Sequence, residues 1–293
     1  MRVFLTGATG FVGSAIVPEL LGAGHQVLGL ARSEASAQAL LAAGAEVHRG
    51  SLDDLDSLRR GAEAADGVIH TAFVHDFAAY EAAGQTDQRA IETMGAALAG
   101  SGRPLLVTAG LAGFSLGRPA TEDDKPAVLG RLSEPAGLAL AAQGVRASVI
   151  RLAASVHDRG DYGFVPTLIS IARKTGVAAY VGDGLNHWPA VHRLDAARLY
   201  RLALERGAAG ACYHGVADTG VALRDIAAII GRHLNLPVVS KSPEEAAAHF
   251  GWMARFVGLD MPATSALTQQ QLGWQPTHPT LLADLEQGYY FEG

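Results

Sequence analysis

The chain has 293 residues, 49% of them hydrophobic and 18% charged, and its 23 Lys and Arg against 29 Asp and Glu give a formal net charge of −6. This composition excludes general disorder, the single cysteine excludes a disulfide scaffold, and the acidic balance without a basic cluster argues against nucleic acid as a partner. The longest uncharged stretch near the start, residues 3–18, is interrupted by glycines and shorter than the roughly 20 residues that a bilayer core needs, so we expect a cytoplasmic protein with no membrane span.

Short apolar runs alternate with segments of helical spacing through the first half of the chain. Strands are predicted at residues 3–5, 26–30, 45–48, 68–71, 105–108 and 147–152, and helices at residues 34–43, 53–60, within 76–100 and at 135–143, besides a first helix that ends at Gly22. This rhythm is typical of βαβ units in a parallel sheet with both faces covered. After residue 152 it breaks, and a helix at 195–206, a strand at 211–214 and a helix from Leu223 are predicted.

Three glycines at a spacing of three lie between the first predicted strand and the first predicted helix. The segment reads Thr6, Gly7, Ala8, Thr9, Gly10, Phe11, Val12 and Gly13. Glycines let the backbone approach a pyrophosphate, and the start of the helix directs free N–H groups at that anion. This context predicts a dinucleotide-binding loop, whereas the same glycines elsewhere would indicate an ordinary turn.

The end of the second predicted strand favours NADP over NAD as the cofactor, with NAD still possible. An acidic residue there would bind the ribose hydroxyls of NAD, but this chain has Arg32 and Ser33. A guanidinium suits a 2′-phosphate, although Arg32 could also be a plain surface residue. Residues after the next strands are placed around the cofactor, namely Ser51 and Leu52 under the adenine, and Thr71, Ala72 and Phe73 between the adenosine side of the bridge and the nicotinamide.

Several other segments carry a wider resemblance. They are Val-Ile-His-Thr-Ala at residues 68–72, Arg151 and Leu152 leading to Val156 and His157, Val191 and His192 before Asp195, and Leu-Gly-Trp-x-Pro at residues 272–276. Together with the glycine segment they resemble the extended and atypical short-chain dehydrogenase/reductase superfamily, and most of all its NAD-dependent epimerase/dehydratase-like members.

The resemblance covers essentially the whole chain and implies an α/β fold, a Rossmann-type doubly wound parallel sheet with a smaller C-terminal α/β substrate domain. The expected boundaries are 1–153 for the Rossmann domain, with 187–210 returning to it, and 154–186 and 211–293 for the substrate-binding region. It also implies a nicotinamide cofactor that Ala154 and Val156 approach. A homodimer through the helices after residues 76 and 135 is implied on the same ground.

The family's Tyr-x-x-x-Lys relay, in which a tyrosine exchanges a proton with the substrate, is absent from the chain. Gly130 stands where the tyrosine belongs and Glu134 where the lysine belongs, and Ala109 and Gly110 follow Thr108 where a serine is usual. Hydride transfer needs only a bound nicotinamide and a positioned electrophile, so another group would have to handle the proton.

Four residues are candidates for that proton transfer. His157 is one, because an imidazole can exchange a proton with a carbonyl oxygen, but it could equally be a structural histidine bonded to backbone, and Tyr162 follows it closely. Glu134 could act as an acid if buried, or could flank the start of a helix. Thr108 could bond a substrate oxygen or simply be a β-branched strand residue.

A second polar and aromatic group is predicted to border the substrate. Its members are His75, Leu111, Asn186, Trp188 and His192, which would suit a small, partly apolar carbonyl or imine, or equally suit packing between the two domains. Histidine pairs five residues apart fit no metal-ligand spacing, so no metal is expected. Residues 113–117 match Gly-x-Ser-x-Gly, but a charged loop follows them instead of the helix of a hydrolase.

Three functions remain open at this point. The first is an oxidoreductase of the atypical short-chain type that acts on a small carbonyl, alcohol or imine with a proton donor other than tyrosine. The second is a catalytically silent sensor of the dinucleotide. The third is an epimerase or dehydratase that retains its cofactor, against which the absent relay counts.

Overall fold

The computed structural model describes residues 1–74, 79–114, 116–126 and 131–292. The strands are β1 (Arg2–Thr6), β2 (Gln26–Ala31), β3 (Glu46–Arg49), β4 (Gly67–His70), β5 (Pro104–Gly110), β6 (Arg146–Leu152), β7 (Ser155–His157), β8 (Ala178–Val181), β9 (His187–His192), β10 (Cys212–Gly215), β11 (Asp218–Ala222) and β12 (Val238–Lys241). Seven of them form a parallel sheet in the order β10-β6-β5-β4-β1-β2-β3. The expected Rossmann-type sheet is confirmed.

Helices cover both faces of this sheet. The helices of the described chain, including those of the smaller lobe, are α1 (Gly13–Gly22), α2 (Glu34–Ala42), α3 (Leu55–Glu63), α4 (Tyr80–Leu98), α5 (Ser133–Ala142), α6 (Phe164–Thr175), α7 (Arg193–Arg206), α8 (Leu223–Leu234), α9 (Pro243–Phe250), α10 (Ala254–Val257), α11 (Ala266–Leu272) and α12 (Leu281–Leu285). In β1, Val3 and Leu5 pack into one core and Phe4 into the other, because alternate side chains of a strand point to opposite faces. A continuous apolar run therefore suits a strand with helices on both sides.

A smaller lobe is built on two short sheets. One has the order β11-β9-β7 and the other pairs β12 with β8. Its own apolar core includes Val165, Trp188, Ile226 and Phe250. This lobe lies beyond the carboxyl ends of the large sheet, since β7 follows directly after β6.

The predicted domain boundaries need correction at two strands. β9 was expected to return to the Rossmann domain but pairs with β7 and β11 in the small lobe. β10 was expected in the substrate region but pairs with β6 at the edge of the large sheet. The reason is that periodicity identifies a short strand without showing which sheet it joins.

In the described part of the chain, no helix combines the length and apolar character that crossing a bilayer would require.

Candidate dinucleotide and substrate site

Two glycines shape the loop between β1 and α1. Gly7 has a φ of +70°, and a Cβ there would lie 2.6 Å from the Oγ1 atom of Thr71, just past β4. A Cβ on Gly13 would lie 2.0 Å from the carbonyl oxygen of Gly7, so the first turn of α1 packs directly on the loop. Side chains at these positions would push the loop off the sheet. The loop is thus held tightly at the carboxyl ends of β1 and β4.

The start of α1 is available to an anion. Among the described residues no side chain caps this helix. The Phe11 N–H group donates to the phenol oxygen of Tyr162 at 3.2 Å. Backbone N–H groups and the positive end of the helix dipole together favour a phosphate at such a position. The rest of the loop consists of buried Ala8, exposed Thr9 and the partly buried Gly10 and Val12.

Tyr162 covers the glycine loop and not the nicotinamide edge of the sheet. Its side chain is 68% exposed, and its ring lies 5.9 Å from that of Phe11 between centroids. The guanidinium of Arg193 lies 4.8 Å from the centroid of the same Phe11 ring and pairs with Asp158. This position would place the Tyr162 hydroxyl beside a pyrophosphate, where it could bind but not donate a proton at the reacting carbon.

The adenosine side is marked by the residues after β2. Arg32 is exposed, and its guanidinium has no hydrogen bond or ion pair with the described residues. Ser33 instead caps α2, since its hydroxyl accepts from the Ser36 N–H at 3.1 Å. A second guanidinium, Arg49, donates to the Ser33 carbonyl at 3.0 Å but is paired with Glu34. Of these two guanidiniums, that of Arg32 is therefore the one without a partner among the described residues.

Further predicted cofactor residues lie along the carboxyl edge of the sheet. Thr71 donates to the Thr6 carbonyl at 2.8 Å, and the Ala72 N–H group donates to the Thr6 hydroxyl at 3.4 Å, so this segment is tied to β1. The remaining members, all partly buried, are Ser51, Leu52, Phe73, Ala154 and Val156.

Glu134 lies in the first turn of α5, as the helix-flank alternative expected, and its carboxylate also forms a buried ion pair. Arg151 donates to its two carboxylate oxygens at 2.9 and 2.7 Å, and both side chains are less than a tenth exposed. Arg151 also donates to the carbonyls of Glu122 and Asp124, which fixes the loop before residue 126. A bidentate carboxylate in this position holds the fold and is a poor proton donor.

Thr108 and His157 are also committed to internal partners. The Thr108 hydroxyl donates to the His70 carbonyl at 2.7 Å and lies 2.7 Å from the hydroxyl of Tyr200, whose pKa is raised by complete burial. His157 is fully buried, and its Nδ1 lies 2.8 Å from the carboxylate of Asp284. Its partner is therefore a carboxylate and not nearby backbone. Because no edge of the ring reaches the surface, His157 cannot meet a substrate in this arrangement.

Comparisons with known proteins decide the family. The NAD dependent epimerase/dehydratase family matches residues 3–97. The uncharacterized protein C2A9.02 of Schizosaccharomyces pombe is 51% identical over 295 residues, which cover 99% of this chain and 100% of that protein. The chain belongs to the NAD-dependent epimerase/dehydratase family.

Two further likenesses concern a relative and a solved structure. The 4-hydroxy-2-methyl-3-oxo-4-farnesyl-3,4-dihydroquinoline-1-oxide ketoreductase of Stigmatella aurantiaca is 26% identical over 280 residues, covering 86% of this chain and 80% of that protein. The dTDP-glucose 4,6-dehydratase DesIV of Streptomyces venezuelae, solved with NAD bound, superposes with a TM-score of 0.80 at 18% identity. The match covers 99% of this chain and 97% of the DesIV chain. The likeness to DesIV shows a shared fold.

In this epimerase/dehydratase-family protein, a buried polar chain runs beneath the carboxyl ends of β1, β4 and β5. The Thr6 hydroxyl lies 2.7 Å from His70 Nδ1, and His70 Nε2 lies 2.9 Å from Asp87. Ser133 donates to the other oxygen of Asp87. Burial opposes ionisation of Asp87, but the contacts with His70, Arg131 and Ser133 outweigh it and lower the pKa of Asp87 overall.

Arg131 extends this chain to the nicotinamide edge and was missed by the sequence analysis. It donates to the Ser133 hydroxyl at 2.9 Å and to the Thr108 carbonyl at 3.0 Å. Its guanidinium lies 4.4 Å from the centroid of the Phe73 ring. The available signal was a cation directly after Gly130, at the position where the tyrosine of the relay is missing; Gly130 itself lies outside the described residues.

The predicted substrate group serves mainly in packing and capping. Asn186 donates to the carbonyls of Val257 and Leu259 at 2.8 and 3.0 Å. Trp188 is fully buried in the core of the small lobe, and Leu111 in that of the large lobe. His192 caps α7 and stacks on His278. His75 and the serine of residues 113–117 lie outside the described residues. Trp188 and Leu111 therefore pack within single lobes and not between the domains, while Asn186 and His192 bond to backbone groups.

Aromatic side chains from both lobes meet beside Arg131 instead. We call Phe73, Tyr80, Phe164, Trp252 and Phe256 the aromatic row. Phe73 and Tyr80 lie 5.8 Å apart between ring centroids in the large lobe, and Phe256 lies 5.0 Å from Phe164 in the small lobe. Arg255 connects the two parts, because its guanidinium lies 6.0 Å from the Tyr80 ring and 5.5 Å from the Phe256 ring.

Proposed function

We propose that this protein is an NADP-preferring oxidoreductase of the atypical short-chain type, which acts on a small organic carbonyl, alcohol or imine with a proton donor other than the usual tyrosine. The observation that carries the proposal is the start of α1, which no described side chain caps, beside a loop whose Gly7 and Gly13 leave no room for a Cβ. Beyond β2, Arg32 is exposed and has no hydrogen bond or ion pair with a described residue. When bound, the cofactor would supply or accept the hydride.

Residues of this chain would contact such a cofactor from its 2′-phosphate to its nicotinamide. The N-terminal turn of α1 would bind the pyrophosphate through backbone N–H groups, whereas the Phe11 N–H group is bonded to the Tyr162 hydroxyl. Arg32 would bind the 2′-phosphate, and Phe73 would border the nicotinamide at the switch point of the sheet order. The family relationship and the ketoreductase of Stigmatella aurantiaca support redox chemistry on a carbonyl.

The cofactor preference is tested by replacing Arg32. In a fluorescence titration, we expect Arg32→Ala to weaken NADPH binding by at least about tenfold, because a charge-assisted contact to phosphate is lost, and to leave NADH binding within about twofold. Arg60→Ala removes an equally exposed arginine on α3 and serves as the matched control. Equal weakening of both nucleotides in Arg32→Ala would show that the arginine does not read the 2′-phosphate.

A second candidate function is a sensor that binds the dinucleotide without chemistry. It is favoured by one observation, that the family's lysine position holds Glu134, locked to Arg151. NADPH consumption over a broad panel of carbonyls and imines separates the two readings. Tight NADPH binding with no turnover on any member would favour the sensor.

The oligomeric state is part of the proposal as well. The groove between α4 and α5 is lined by small side chains such as Ala96, Ala99 and Ala139, which would let a second copy approach closely. We infer a cytoplasmic homodimer joined through these helices. Light scattering should give twice the chain mass, and Ala96→Glu should give the monomer.

A further inference from the structure

The loop between β7 and α6 places a side-chain oxygen on the glycine loop. The hydroxyl oxygen of Tyr162 accepts the Phe11 N–H group at 3.2 Å, and it would lie 3.9 Å from a Cβ added to Gly10. Because Gly10 has no side chain, the hydroxyl reaches the loop backbone directly. It takes an N–H group on the face of the loop where the proposed pyrophosphate would present its oxygens.

Two neighbouring N–H groups of the same turn have no such partner. Those of Val12 and Gly13 donate to no residue of the described chain. Backbone N–H groups at the start of a helix favour an anion, because an anion also gains from the helix dipole. A phenol hydroxyl is neutral, so it is a weaker acceptor for Phe11 than a phosphate oxygen. A phosphate can therefore replace it.

The Tyr162 side chain is held loosely, whereas the backbone beside it is anchored. The side chain is 68% exposed, and its ring meets that of Phe11 edge-on with the centroids 5.9 Å apart. The neighbouring Asp161 carboxylate accepts the Gly163 N–H group at 2.7 Å and the Tyr290 hydroxyl at 3.2 Å. The phenol ring can therefore turn into solvent by side-chain rotation, without movement of the loop backbone, at the cost of one hydrogen bond and one ring contact.

We propose that Tyr162 is an internal competitor of the dinucleotide: its hydroxyl competes with the bridging phosphates for the Phe11 N–H group, and binding turns the phenol ring into solvent. This inference rests on the proposed function and adds to the same site a residue that lowers its affinity. The space for the phosphate oxygen is the space that the hydroxyl fills, over Gly10. The apparent affinity is then the intrinsic affinity multiplied by the fraction of molecules in which Tyr162 has left the loop.

The test removes the hydroxyl and keeps the ring. In calorimetry on the full-length protein, we expect Tyr162→Phe to bind NADPH and inorganic pyrophosphate about two- to tenfold more tightly than wild type, because a competing neutral hydrogen bond is lost. Adenosine 2′-phosphate, which lacks the bridging phosphates, should bind both proteins equally. Tyr180→Phe removes a tyrosine hydroxyl from β8 of the small lobe and, as the matched control, should bind all three ligands like wild type.

NADPH decides the inference if it binds wild type, and pyrophosphate decides it if NADPH does not. Equal binding of the deciding ligand by wild type and Tyr162→Phe would overturn the inference. Weaker binding by the variant would overturn it too, and would show that the hydroxyl is a ligand of the phosphates. Pyrophosphate that binds the variant more tightly, while NADPH binds neither protein, would contradict the proposed function alone. No binding of either ligand would contradict both.

A second measurement follows the ring itself. With 3-fluorotyrosine placed at residue 162, saturation with NADP⁺ or pyrophosphate should move the fluorine resonance towards that of free fluorotyrosine and narrow it, because the ring leaves Phe11 for solvent. A resonance that keeps its position and width at saturation would show that the ring stays on the loop, and this result would also overturn the inference.

Discussion

Glu134 and His157 illustrate how distant partners set the role of a single residue. Each has the chemistry of a proton donor, but Glu134 is bonded at both oxygens to Arg151, and His157 is bonded to Asp284, 127 residues later in the chain. Pattern and spacing predict the local features, such as Gly7 and Gly13 in the loop. They cannot predict these partners, because each contact joins separate elements of the folded chain, α5 with β6 for Glu134 and β7 with α12 for His157.

Asp161, one residue before Tyr162, gives a prediction for pH dependence. Burial raises the pKa of this carboxyl from its ordinary 3.8 to about 6, although the Gly163 N–H and the Tyr290 hydroxyl bond to it and partly offset burial. A carboxyl with a raised pKa in the folded state favours folding when protonated. The contribution of the protonated Asp161 carboxyl to the free energy of unfolding is therefore present below about pH 4 and lost as pH rises to about 6.

Asp161→Asn should remove this dependence. Urea unfolding gives the free energy of unfolding of the variant and of wild type at each pH. The difference, variant minus wild type, should increase by about 2–3 kcal/mol from pH 4 to pH 6, since one pKa unit corresponds to about 1.4 kcal/mol. Asp53→Asn, which removes an exposed carboxyl after β3, is the matched control. A flat difference for Asp161→Asn would show that the ionised carboxyl is well tolerated where it lies.

At the scale of elements, the first turn of α1 is the part of the fold on which cofactor binding depends. A Cβ on Gly13 would overlap the Gly7 carbonyl at 2.0 Å, so Gly13→Ala should separate the helix from the loop. We expect this variant to bind NADPH more than about tenfold more weakly and to lose about 1–3 kcal/mol in its free energy of unfolding. Gly22→Ala, in the last turn of the same helix with no atom within 4 Å of the added Cβ, should be neutral or slightly stabilising. Fluorescence titration and thermal unfolding measure both effects, and normal NADPH binding by Gly13→Ala would refute the role given to this turn.

The elements of the large sheet were predictable, whereas in the small lobe the helix from Leu223 was predicted and most of the short strands were not. β1 to β6 are flanked by glycine turns and by helices of clear periodicity, and the observed bounds differ from the predicted ones by one or two residues in most cases. β7, β8, β11 and β12 are three to five residues long. Strands this short show no reliable alternation, and their pairing depends on distant chain segments.

At the scale of the whole molecule, the C-terminal tail belongs to the large lobe as much as to the small one. Trp274 is fully buried in the core of the large lobe and donates to the Asp195 carbonyl at 2.9 Å. The Asp195 carboxylate in turn accepts from the N–H groups of Thr277 and His278. The chain then continues into α12, which packs on the core of the small lobe through Leu281 and Leu285. The tail thus connects the two cores.

This connection predicts that the two lobes unfold together. Trp274→Phe leaves Trp188 and Trp252, both in the small lobe, as the remaining tryptophans, so its fluorescence follows that lobe while far-UV circular dichroism follows the whole chain. Trp274→Ala should lower the free energy of unfolding by about 3–5 kcal/mol, from the cavity left in the large lobe. Because the cores are tied through residues 273–285, the fluorescence and dichroism transitions should coincide in both variants and shift together. A fluorescence transition that stays at the wild-type midpoint while the dichroism transition falls would show that the small lobe folds independently of the sheet that carries the dinucleotide site.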